Sequence, residues 1–74
     1  MMNVQNALRN GNEFEAIQAV ELIKTELANP EIFKEVCRSY ILSEIEPVAK
    51  RCGELLGTQG RFKAHAMHVT GQLQ

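Results

Sequence analysis

Four breaks constrain this chain more than any other feature: Asn10-Gly11-Asn12, Asn29-Pro30, Pro47, and Gly57-Thr58-Gln59-Gly60. Asn and Gly suit turn and left-handed backbone, and proline ends or kinks a helix while fitting its first turn. Between the breaks, apolar residues recur three and four positions apart, and no segment alternates with a period of two, which removes strands from the expectation. No internal repeat or low-complexity tract appears. The chain is therefore expected to be all-α, a small four-helix bundle with a central helical hairpin, and a single helical domain over residues 1–74.

Residues 1–12 are expected to form a short N-terminal helix or a flexible lead-in, since Asn3 to Arg9 suffice for a turn or two. The first long helix then begins after Asn12, which can cap it while Glu15 bonds back in a capping box. It is expected over Glu13–Ala28, with Ala16, Ile17, Ala19, Val20, Ile23 and Leu27 on one buried face. Pro30 starts a second helix running to about Ser43, whose arc of Ile32, Phe33, Val36, Cys37, Tyr40 and Ile41 covers half its wheel. A connection as short as Asn29-Pro30 favours folding these two helices back as the hairpin. A capping box of Ser43 and Glu46 is expected to open a third helix, buried through Val48, Ala49, Cys52, Leu55 and Leu56 and closed by Gly57. The fourth helix, Arg61 to about Thr70, is expected to bury Phe62, Ala66 and Val69, with Leu73 completing the line.

At 74 residues the chain buries only about 60% of the surface its unfolded form exposes, so stability is thin and a homodimer fits its size. Two cysteines, Cys37 and Cys52, make no disulfide framework, and both fall on apolar helix faces, as free buried thiols do. With neither a signal peptide nor an 18-residue apolar run, the expected place is the cytoplasm, with no membrane contact. The formal net charge of −1 hides an asymmetry. All nine acidic residues lie between Glu13 and Glu54, where five bases leave that block at −4, whereas residues 55–74 hold Arg61, Lys63, His65 and His68 and no acid.

Chemistry-bearing constellations are few. His65 and His68, at i and i+3, supply two of the three or four ligands a metal site needs, and no CxxC or HExxH spacing completes them, so no metal or other cofactor is expected. The acids at Glu13 and Glu15, and at Glu44 and Glu46, are two apart and point to different sides of a helix, which argues against paired-carboxylate catalysis. No enzyme is expected. Arg61, His65, His68 and Gln72 fall at i, i+4, i+7 and i+11, a polar stripe that with Lys63 is the candidate contact for a partner's acids or for phosphates. Leu22 and Leu42 lie off their helices' buried arcs and with Ile45 are the candidate apolar interface.

These features suggest a small non-enzymatic regulator, inhibitor or adaptor that binds a larger protein or nucleoprotein, a way of working common among short phage and plasmid accessory proteins. The alternative is a helix-turn-helix-like DNA-binding regulator using the C-terminal helix, since Val48, Ala49, Cys52, Gly53 and Phe62 loosely match that motif's apolar pattern. Against it, Leu55 and Leu56 continue past Gly53, where the turn belongs. Two lysine and arginine side chains also make few phosphate contacts, so nucleic-acid binding would be weak.

Overall fold

The computed structural model describes residues 3–74, and among them all regular structure is helical: α1 (Val4–Asn10), α2 (Glu13–Ile23), α3 (Pro30–Leu42) and α4 (Glu46–Val69). The all-α small-bundle expectation holds. Of the lead-in, Met1 and Met2 lie outside the described residues, and Val4–Asn10 is helix, flanked by Asn3 and by Gly11 and Asn12. Asn3 caps α1 by accepting from the Asn6 amide at 2.7 Å, and Ala7 and Leu8 are buried. Gly11 ends it, and a Cβ there would stand 2.5 Å from the Ala7 carbonyl oxygen, so this turn admits only glycine.

The capping box of α2 forms as its sequence implies. The Glu15 amide donates to Asn12 Oδ1 at 2.8 Å, and the Asn12 amide donates to Glu15 Oε1 at 2.9 Å. The helix stops at Ile23 rather than Ala28, and two turns follow, closed by Glu26 N–H to the Ile23 carbonyl and Asn29 N–H to the Glu26 carbonyl. No glycine marks that end, so apolar spacing alone overran it, and Leu27 reaches the core from a turn instead of from a helix. Asn29 then caps α3 through the Glu31 amide at 3.0 Å, with Pro30 in the first turn.

Six residues of turn between α2 and α3 are not a tight hairpin connection, and the two helices barely touch. The hairpin is made instead by α3 and α4, joined by Ser43–Ile45 and more extensively packed than any other pair. The Ser43–Glu46 capping box does not form. Ser43 Oγ bonds the Ile45 amide and carbonyl, and Ile45 is the N-cap. A start at Ser43 would place Pro47 where the helix needs its first intrahelical N–H donor. A start at Ile45 places it where that N–H would be unpaired anyway.

At Gly57 the backbone of α4 leaves helical values (φ 69°, ψ 179°), so α4 consists of two arms that meet at one residue. The first arm buries Val48, Cys52 and Gly53 against α2 and α3. The second resumes directly after Gly57 and ends in a Schellman motif: Gln72 N–H bonds the Met67 carbonyl at 2.8 Å and Gly71 N–H bonds the His68 carbonyl at 3.0 Å, with Gly71 at φ 74°. That turn folds Leu73 inward to complete burial, beside Cys37 and Ala64.

Candidate interaction surface

The second arm presents the opposite face from the one its large apolar residues imply. Gly60 and Ala64 are buried and Met67 is half-buried, whereas Phe62 is 78% and Val69 84% exposed, with Ala66 exposed between them. The reason is steric. A Cβ on Gly60 would lie 2.9 Å from the Leu56 Cβ, and Ala64 packs fully enclosed in the cluster that Phe33, Tyr40 and Ile41 of α3 border. Only small residues allow this arm to lie so close. Hydrophobic spacing could not reveal it, because a glycine and an alanine carry little apolar signal of their own.

This rotation redistributes the polar stripe expected of Arg61, His65, His68 and Gln72. Arg61 folds back over the kink, its Nη1 donating to the Gly53 carbonyl at 2.8 Å and its Nη2 reaching Thr58 Oγ1 at 3.4 Å. His65 Nε2 and Tyr40 Oη are 3.2 Å apart, the two rings meeting edge to face at 5.4 Å. Gln72 donates to Thr70 Oγ1 at 2.8 Å, and Lys63 Nζ stands 6.0 Å from the centre of the Phe33 ring. Arg61 and His65 therefore brace the arm as well as flanking it; Arg61 is half-buried, and Lys63, His65, His68 and Gln72 are exposed. The exposed apolar line Phe62, Ala66, Val69 runs between Lys63 on one side and Arg61 and His65 on the other.

Of the candidate apolar interface, Leu22 is 72% exposed, while Leu42 and Ile45 are half-buried and pack on the core. The side chain that accompanies Leu22 at the surface is Phe14, 69% exposed and two helical turns away on α2. Sequence reasoning passed over Phe14 and over the exposure of Phe62. The available signal for Phe14 was its place outside the arc of Ala16, Ala19, Val20 and Ile23.

Charge on α2 is tied to the first arm of α4. Glu21 accepts from Arg51 Nε at 2.8 Å and from Lys24 Nζ at 3.1 Å, and these hydrogen bonds pull its carboxyl down to about 2. Burial opposes ionisation of Glu35, but the hydrogen bonds from Arg9 and Gln5 outweigh it and leave the carboxyl below its ordinary value. Burial pushes the Cys37 thiol up to about 11 and the Cys52 thiol to about 12, so both are held as neutral thiols. Among the described residues no three His, Cys, Asp or Glu side chains come together as a metal site would require. No helix of the described residues is long and apolar enough to cross a membrane.

A polar cleft lies between the end of α1 and the α3–α4 connection, lined by Arg9, Arg38, Ser39, Ser43 and Glu44. Arg38 Nε is buried there without a hydrogen-bond partner among the described residues. Two helix C-termini border the cleft and Glu44 lines it, and both features disfavour an anion. No family model matches the chain, and no curated protein or solved structure is significantly similar to it.

Proposed function

We propose that this chain is a small non-enzymatic regulator, inhibitor or adaptor that docks on a larger protein or nucleoprotein through the outer face of the second arm of α4. The observation that carries the reading is the exposed line of Phe62, Ala66 and Val69 on a helix braced from behind. Covering a phenylalanine or valine side chain is worth about 1.5–3 kcal/mol. Two such side chains beside Lys63 and His65 offer an apolar centre with a polar rim, the anatomy of a protein interface.

The DNA-binding alternative draws less support from the same arm. A helix laid in a groove presents polar and cationic groups to bases and phosphates, whereas this one presents Phe62 and Val69, and its Arg61 bonds the chain's own Gly53 carbonyl. The two arms also meet at a single residue, where a helix-turn-helix uses a turn of three or four.

The test is recovery of partners from native-host extract with tagged wild-type chain and with a Phe62→Glu, Val69→Glu variant whose helix content is verified by circular dichroism. Specific protein prey retained by the wild type after nuclease treatment and lost by the variant is the expected result. Recovery that disappears with nuclease, or that the variant retains, overturns the reading.

A further inference from the structure

We propose that the outer face of the second arm of α4 also receives α2 of a second copy of this chain, so that two copies close into a two-fold dimer when no other partner is bound. Among the described residues, the four exposed large apolar side chains fall into two pairs on two helices: Phe14 and Leu22 on α2, Phe62 and Val69 on α4. Along their axes the pairs are of similar length: at about 1.5 Å of rise per residue, Phe14 and Leu22 are about 12 Å apart and Phe62 and Val69 about 10.5 Å. Around the axes they differ, the α4 pair forming a narrow line and the α2 pair flanking Gln18 on a broader face about 80° wide.

Their charges are complementary as well. Residues 13–26 hold Glu13, Glu15, Glu21 and Glu26 against Lys24, and Arg51 of α4 is paired with Glu21, which leaves this face at −2, whereas residues 58–74 hold Arg61 and Lys63 and no acid, a net +2. Like-with-like pairing would face acids to acids across α2, or cations to cations across α4. Pairing α2 with α4 joins apolar to apolar and opposite charge to opposite charge, and charge matching of this kind selects partner and register. Each copy carries both surfaces, and the arrangement proposed is the closed one, in which the pairing is satisfied twice around a two-fold axis, residue i meeting j and j meeting i.

The inference rests on reading the α4 stripe as a protein-docking surface, and it adds that self-association competes with any other occupant. Its failure is separable from failure of that reading. The partner capture above is run dilute, and the present test uses purified chain alone.

Sedimentation of the full chain from micromolar to near-millimolar concentration is expected to show a monomer–dimer equilibrium that weakens with added salt. Phe62→Glu and Leu22→Glu each alter both contacts of the dimer and are expected to weaken it by at least about a hundredfold. Both positions are exposed, so circular dichroism and thermal midpoints should match wild type. Mixing the two variants restores one unaltered contact, wild-type α4 on wild-type α2, and a heterodimer is expected where neither variant associates alone. A wild-type chain that stays monomeric overturns the proposal, as does a mass beyond two copies. It also falls if Leu22→Glu alone still dimerises, meaning α4 pairs with itself, if Phe62→Glu alone still dimerises, or if mixing restores nothing.

Discussion

Replacing Gly57 with alanine separates the backbone requirement of the α4 kink from every packing effect around it. Its φ of 69° with ψ of 179° lies in a region that only glycine occupies comfortably, and a Cβ placed there has no heavy atom within 4 Å. The variant therefore has two routes. If the kink is kept, the backbone carries about 1–3 kcal/mol of strain. If α4 straightens, alanine gains about 1 kcal/mol over glycine as a helix residue, but the second arm leaves α3. Removing Leu73 from the core alone costs about 1.5–3 kcal/mol, and the Arg61 bond to the Gly53 carbonyl and the Tyr40–His65 contact go with it. Either way the variant is less stable, and in a domain of this size the thermal midpoint should fall by roughly 4–20 °C. Urea unfolding tells the routes apart: a retained kink leaves the denaturant slope unchanged, and a lifted arm lowers it because less surface is buried in the native state. Gly57→Asn should not rescue, because asparagine tolerates left-handed helical ψ and not an extended one. A Gly57→Ala chain as stable as wild type, with the same slope, would refute the claim that this kink depends on glycine.

Three further outcomes follow from the packing and the ion pairs. Glu21 titrates near 2 in the folded chain against about 4.5 unfolded, so its pairing stabilises above pH 4.5 and is lost as pH falls toward 2; Glu21→Gln should flatten the acid side of the stability profile over that window. Cys37 and Cys52 titrate near 11 and 12 when folded, so the native chain should resist thiol alkylation until denatured, and stability should decline as pH climbs above about 9, where unfolded thiols ionise. Rapid labelling of native chain at neutral pH would contradict the burial of either thiol. Phe33→Ala removes a half-buried ring that borders the Cys37 cluster and should cost about 2 kcal/mol in urea unfolding, below the loss for a fully enclosed phenylalanine; no measurable change would show that this edge of α3 does not pack.

What could be read in the sequence was local chemistry. Asn12 with Glu15, and Asn29 with Pro30, fix helix starts through bonds to atoms two or three residues away, and both starts form. The buried arcs of α2 and α3 were legible for a related reason: on each, apolar residues three and four positions apart gather on one side, and on α2 that side outnumbers Phe14 and Leu22, which stand outside it. Where two sides compete, as on the second arm of α4, phase is decided by close approach, of Gly60 to Leu56 and of Ala64 to the cluster that α3 borders, and these small residues win over Phe62 and Val69. The end of α2 and the pairing of α3 with α4 are likewise set by where distant residues pack. Of the site, the cationic character of the C-terminal arm was readable. The use of Arg61 and His65 as braces was not, since Gly53 and Tyr40 are eight and 25 residues away.

The division of labour across the second arm of α4 has an evolutionary corollary. Because Gly60 and Ala64 seat the helix without help from Phe62, Ala66 or Val69, the outward positions are nearly free of folding constraint and can drift or be randomised while the scaffold stays intact. A library diversified at those three positions should return folded variants at high frequency, and one diversified at Gly60 and Ala64 should return few. Such a helix lets a lineage change what it recognises without first acquiring a stabilising substitution elsewhere, and it makes the arm a natural starting point for redesigned specificity.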